Sequence, residues 1–277
     1  MSDIKVLNSA VIQRLGVIRF VLFDFDGTIS LLREGWEGIM IPMMIELICD
    51  GSPPTTEIER EVRHYVDVST GELTIRQMEW LAGAVRQYGL SRTPQSPAEY
   101  KALYIDKILG KVRRRIEMLE QGASTRDEMM VEGARQFLRG LVERGITLFL
   151  ASGTDHPYVL QEAKVLGVDE YFTGGIYGAL DENEAHDKAR LIRRILDENR
   201  LHGDELLVVG DGPVEMREAV TVGAIALGLA SDEVRRQGWN THKYTRLEKA
   251  GADLIMADFT QPEQKLEFLH LTHNPGS

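Results

Sequence analysis

The chain has 277 residues, 43% hydrophobic and 27% charged, with a formal net charge of −11 and a single cysteine, Cys49. That is the composition of a soluble globular protein with room for one large domain or two modest ones, and its acidic balance argues against nucleic acid or an anionic membrane as main partner. No internal disulfide is possible, the N-terminal residues lack a signal-peptide layout, and no apolar run approaches the ~18 residues of a membrane span, so a cytoplasmic protein is expected.

In chain order, the first element is "VIRFVLFDF", Val17 to Phe25, an apolar run rich in β-branched and aromatic residues that reads as a buried parallel strand. From about residue 34 to about residue 127 no strand pattern follows. Four helical patterns do: "EGWEGIMIPMMIELICD", "TEIEREVRHYVDV", "TIRQMEWLAGAVRQYG" and "PAEYKALYIDKILGKVRRRIEMLEQG", punctuated by "GSPP" and "SRTPQSP". "DEMMVEGARQFLRGLVERG" then sets Met130, Ala134, Phe137, Leu138 and Leu141 on one helical face and ends at Gly145, a helix-stopping residue.

The strand "ITLFLAS" (Ile146 to Ser152) comes next, then a helix opening in "TDHPYVLQEAKVLG" with Pro157 in its first turn. A weaker strand, "GGIYG" (Gly174 to Gly178), precedes the helix "HDKARLIRRILDENR". "ELLVVGD" (Glu205 to Asp211), the helix "PVEMREAVTVG", "GAIALGLA" (Gly223 to Ala230) and the weaker "DLIMAD" (Asp253 to Asp258) complete the series. Strand–helix alternation implies an α/β fold, a doubly wound parallel Rossmann-like sheet with right-handed crossovers. The helical stretch is far longer than a crossover needs. Residues 1–33 and 128–277 are therefore expected to form the α/β core, with 34–127 an all-helical domain inserted after the first strand.

In an open parallel sheet, ligands bind beyond the carboxyl ends of the strands. The first strand delivers Asp24 and Asp26, then Gly27 and Thr28. Two carboxylates at that spacing repel each other and are costly to keep unless a cation, a proton or a reaction uses them. "ASGT" brings Ser152 and Gly153 to the same edge, "GDGPVE" brings Asp211 and Glu215, and Lys188 opens an intervening helix.

This set resembles, in order and placement, the four motifs of the haloacid dehalogenase (HAD) superfamily: "DFDGT" the first, "LASGT" the second, Lys188 the third and "GDGPVE" the fourth. The inserted helices stand where that superfamily carries its type 1 cap. Glu215 departs from the aspartate of many members, keeping the charge on a longer arm. The resemblance implies that Asp24 is a nucleophile forming an aspartyl-phosphate. It implies Mg²⁺ between the Asp24 carboxylate, the Asp26 main-chain carbonyl and Asp211, with Glu215 near or in the shell. Asp26 would be the general acid and then the base for water. Ser152 and the Gly153 amide would hold a phosphoryl oxygen, Lys188 would balance charge, and Thr28 would orient the loop and Asp26.

An aspartate at position 26 points to phosphatases and phosphomutases over dehalogenases of that superfamily. The expected function is a Mg²⁺-dependent phosphomonoester hydrolase for a small phosphorylated metabolite, a sugar or organic-acid phosphate. A phosphomutase and a catalytically silent binder of phosphate ligands are the alternatives. The expected state is monomer or homodimer.

Other readings of these residues are weaker. An EF-hand loop would need a glutamate at its twelfth position, where Gly35 stands. "GDGPVE" lacks the third glycine of a dinucleotide fingerprint, and "ASGT" is no esterase elbow. His156 reads as a helix start, Trp36, Trp80 and the Met-rich helix as apolar core, and "KVRRR" (Lys111 to Arg115) as a solvated face. Arg33, Glu34 and Trp36 lie at the hinge, where a lid would meet a leaving group; Arg33 and Trp36 are candidate substrate contacts.

Overall fold

A computed structural model describes residues 4–179 and 188–271. Its single sheet runs β1 (Lys5–Val6), β7 (Leu254–Met256), β6 (Ile225–Leu229), β5 (Leu206–Gly210), β2 (Phe20–Asp24), β3 (Thr147–Asp155), β4 (Gly175–Ala179). Neighbours are parallel, except that β1 pairs antiparallel with β7. The first apolar run thus becomes the inner strand β2, flanked by β5 and β3, which is why it is apolar on both faces. Val21 and Phe23 point into one apolar cluster with Leu148, Leu150, Phe137 and Phe259. Leu22, between them, joins Phe149, Val208 and Ile192 in the other.

Between β2 and β3 lie α1 (Glu37–Cys49), α2 (Thr56–Val68), α3 (Thr74–Tyr88) and α4 (Pro97–Glu120). Their ends follow local chemistry. Thr55 accepts the Ile58 N–H, Ser96 and Glu99 form a reciprocal capping box with Pro97 just inside α4, and Gly89 ends α3 in the left-handed region. Met40, Met43, Met44, Ile48, Val62, Met78, Leu81 and Ile108 bury a third apolar cluster belonging to these helices alone. Trp80 stacks on Tyr65 with ring centroids 4.0 Å apart, at the border of that cluster. Each fully buried side chain of this size contributes about 1.5–3 kcal/mol relative to exposure.

The helix expected over 127–145 is shorter. Ala134–Val142 form α5, while Asp127–Met129 make a 3-10 turn. The intervening residues extend because they pair with the chain leaving β2: Leu31 donates to the Met129 oxygen at 2.9 Å and Val131 to the Ile29 oxygen at 3.1 Å. This pairing pins the entry and exit of the four-helix segment together. Tertiary pairing there overrides the helical periodicity.

The basic stretch of α4 also departs from expectation. Arg113 and Arg114 are exposed, but Arg115 donates to the oxygens of Leu31 at 2.6 Å and Leu32 at 3.0 Å and pairs with the Glu34 carboxylate at 2.5 Å. Part of the presumed solvated face is a clasp on the hinge.

The remaining helices are α6 (His156–Leu166), α7 (Lys188–Asn199), α8 (Pro213–Val222), α9 (Thr241–Lys249) and α10 (Pro262–Phe268). His156 opens α6 as expected. β1, α9 and α10 were not anticipated: the first has two residues, and α9 is mostly polar. Asn240 caps α9 by accepting the N–H groups of His242 and Lys243. Among the described residues no helix is long and apolar enough to cross a membrane.

Candidate active site

The site begins where β2 ends. Asp24 is its last residue, and the chain then turns tightly, with the N–H groups of Ile29 and Ser30 returning to the Phe25 oxygen at 2.8 and 2.9 Å. Gly27 adopts a φ of +77°, and a Cβ there would lie 2.6 Å from Asp211 Oδ2. Glycine therefore both makes the turn and lets the loop after β5 come alongside.

Three strands, β2, β3 and β5, and the start of α7 meet here. Lys188, at the start of α7, donates from Nζ to Asp24 Oδ1 at 2.5 Å and also pairs with Glu215 of α8. Burial pushes the Asp24 carboxyl well above the usual carboxylate range; Lys188 pulls it back, and Glu215 and Asp211 push it further up. Burial opposes the charge on Lys188, but Asp24 and Glu215 outweigh it and hold the ammonium above its ordinary pKa. Asp26 Oδ2 accepts the hydroxyls of Ser152 at 3.1 Å and Thr154 at 3.2 Å. Its Oδ1 is buried without a hydrogen-bond partner and lies 3.7 Å from Arg33 Nε.

All the core residues expected from the sequence are brought to this one edge. Thr28 is there too, but its hydroxyl donates to Asp24 Oδ2 at 3.4 Å, not to Asp26. Arg33 borders the cleft while its guanidinium is taken by Glu162 of α6, with Nη2 at 2.6 Å from Oε1. Burial lifts the Glu162 carboxyl to about 7 against the pull of Arg33. Trp36 is half-buried and lines the same cleft.

The opposite wall comes from the loop joining α2 to α3 and from the helices themselves: Thr70, Gly71, Glu72, Thr74, Gln77 and Tyr104. The cleft between the walls is narrow, with a cavity volume of about 70 Å³. The walls touch closely. A Cβ on Gly153 would lie 2.4 Å from the Glu72 oxygen, so a side chain there would force the loop away.

Several participants escaped the sequence reading. Thr154 is two residues past Ser152 on a strand, hence on the same face, and period-two spacing would have found it. Lys243, Arg246 and Glu233 had no such signal. They lie on or before α9, yet Lys243 reaches Asp211 Oδ2 at 2.7 Å and Glu233 at 2.6 Å.

The donor chemistry suits a hard cation. Asp24, Asp211 and Glu215 supply carboxylate oxygens, and Glu215 Oε2 is buried without a partner. As they stand, no three acidic or other ligating side chains among the described residues close round one point. Lys188 lies between Asp24 and Glu215, and Lys243 holds Asp211.

A doubly wound sheet whose inner strand ends in an aspartate beside a lysine has its acidic and basic groups where open parallel sheets bind ligands, beyond the carboxyl ends of the strands. The family model of haloacid dehalogenase-like hydrolases matches residues 18–223, and the chain belongs to that family. A 5'-nucleotidase of Pseudomonas aeruginosa is 29% identical over 121 residues, 42% of this chain and 54% of that protein. The match thus spans about half of that relative's length. Among solved structures, the fold is similar to that of a predicted phosphatase from Clostridium acetobutylicum, with a TM-score of 0.59, 16% identity, and 90% of this chain and 99% of that one covered. It is also similar to that of a β-phosphoglucomutase from Clostridium difficile, with a TM-score of 0.57, 14% identity, and 91% and 97% covered.

Proposed function

We propose that the chain is a phosphomonoester hydrolase acting on a small phosphorylated metabolite, a sugar or organic-acid phosphate. The observation that supports this best is the pairing of roles at the end of β2. Asp24 lies on a lysine, and Asp26, two residues on, lies on hydroxyls with its second oxygen free of hydrogen bonds beside Arg33. Residues 34–127 would serve as a cap over a core of 1–33 and 128–277.

In this reading Asp24 attacks phosphorus, and the bond to the leaving oxygen breaks as that oxygen takes a proton from Asp26. Asp26 then accepts a proton from water, which attacks the aspartyl-phosphate, releases phosphate and restores Asp24. Ser152 and the Gly153 amide would hold a phosphoryl oxygen, and Lys188 would offset the charge that gathers on phosphate and carboxylates. Mg²⁺, held by Asp24, the Asp26 carbonyl, Asp211 and Glu215, would supply neutralising charge against which an anion can approach an anion. Thr28 would fix Asp24 in its rotamer. The closed cap wall would exclude other water.

The test is phosphate release from sugar phosphates, organic-acid phosphates and nucleoside monophosphates, the last suggested by the nucleotidase relative. Each is run with Mg²⁺ and with EDTA. Metal-dependent release is the expected result. Isomer formation without free phosphate would instead identify a phosphomutase, and ligand binding with no turnover would identify a silent binder.

A further inference from the structure

Helix α9 lies outside every motif the sequence offers, yet it grips Asp211 twice. Lys243 holds the carboxylate. One turn on, Arg246 Nη2 donates to the Asp211 main-chain oxygen at 3.0 Å. The same guanidinium reaches the opposite wall: Nη1 donates to Asp67 Oδ1 at 3.1 Å and to Thr70 Oγ1 at 3.0 Å. Asp67 belongs to the last turn of α2, and Thr70 starts the loop that faces the site.

Both cations are less than a tenth exposed, Lys243 at 7% and Arg246 at 9%. Buried cations are costly without such partners. The planar fork of arginine can serve acceptors on two elements at once, which a lysine ammonium on its flexible stem does less well. The two loops that Arg246 joins also lie backbone to backbone: a Cβ on Gly212 would be 2.7 Å from the Thr70 oxygen. If the end of α2 and the loop after it move away together, Arg246 loses Asp67 and Thr70. Its buried guanidinium is then no longer held against the Asp211 carbonyl.

We infer that Arg246 is a positioning residue that makes the placement of Asp211 conditional on docking of the α2–α3 loop. The inference rests on the reading of Asp211 as a cation ligand. Loop docking and cation binding then favour each other, as linkage requires.

The experiment is Mn²⁺ titration of the full chain, followed by the electron paramagnetic resonance signal of free Mn²⁺. The variants keep charge constant: Thr70→Val, Arg246→Lys and the double variant, each first checked for a wild-type thermal transition. Thr70→Val and Arg246→Lys should each weaken Mn²⁺ binding about fivefold, and the double variant no more than Arg246→Lys alone. Should Arg246→Lys fail to fold, Thr70→Val decides. Wild-type affinity in Thr70→Val, or losses that simply multiply in the double variant, would overturn the inference while leaving the phosphatase reading intact. A wild-type protein that releases phosphate but binds no Mn²⁺ would remove the cation reading and this inference with it.

Discussion

The two walls of the cleft are built from different chemistry. The sheet edge concentrates charge, with Asp24, Asp26, Asp211 and Glu215 set against Lys188 and Lys243. The helical wall presents Thr70, Thr74, Gln77 and Tyr104, with Glu72 its single ionisable acid. If the proposed function holds, charge is gathered where the reaction would move charge, and the other wall would sense shape and hydroxyl groups. The difference teaches that, in that reading, chemistry and selectivity would be encoded in separate parts of this chain.

Substitutions on the two walls should therefore behave differently. The largest effect is expected for Asp24→Asn, which should lower kcat by about a thousandfold or more with the thermal transition retained. Full activity in that variant would end the nucleophile assignment. Asp26→Asn should cost about 10²–10⁴ in kcat, with the loss greatest for substrates whose leaving alcohol is least acidic. On the helical wall, Tyr104→Phe and Gln77→Ala should shift KM by about tenfold or less, one missing hydrogen bond each, and reorder the preferred substrates. A loss of kcat in Tyr104→Phe as large as that in Asp26→Asn would break the division between the walls.

The smallest expected effect concerns Glu162, which holds Arg33 beside Asp26. Burial raises its carboxyl from the ordinary 4.5 to about 7. Its contribution to stability is thus present below pH 4.5 and is lost as pH rises through about 7. Thermal unfolding of wild type and Glu162→Gln should show the wild type losing ground over that interval. A gap that stays constant with pH would mean that Glu162 is ionised throughout.

How much was legible follows the same division. β2, β3, β5 and β6 announce themselves because buried parallel strands are apolar on both faces, and their ends carry Asp24, Ser152 and Asp211. The four helices α1 to α4 show in periodicity and caps. Partners that meet only through tertiary packing left no such trace. Glu162 is one acid on an otherwise ordinary helix, and nothing in "THKYTRLEK" distinguishes Lys243 and Arg246 from surface cations. Arg115 failed in the same way, since its partners are carbonyls of a distant segment.

The insertion of α1 to α4 between β2 and β3 also orders events in time. Asp26 and Ser152, which touch, stand 126 positions apart, and β2 finds its neighbours only after the helices and then β3 and β5 have been synthesised. The helices bury their own apolar cluster by nearer contacts and need no strand to do so. Local contacts form faster than distant strand pairs, so a growing chain is expected to fold α1 to α4 before the sheet edge that faces them. Pulse-labelled hydrogen exchange on refolding would register this as protection in α1 to α4 ahead of β2. A half-made chain would then hold finished helices with no sheet edge for them to cover.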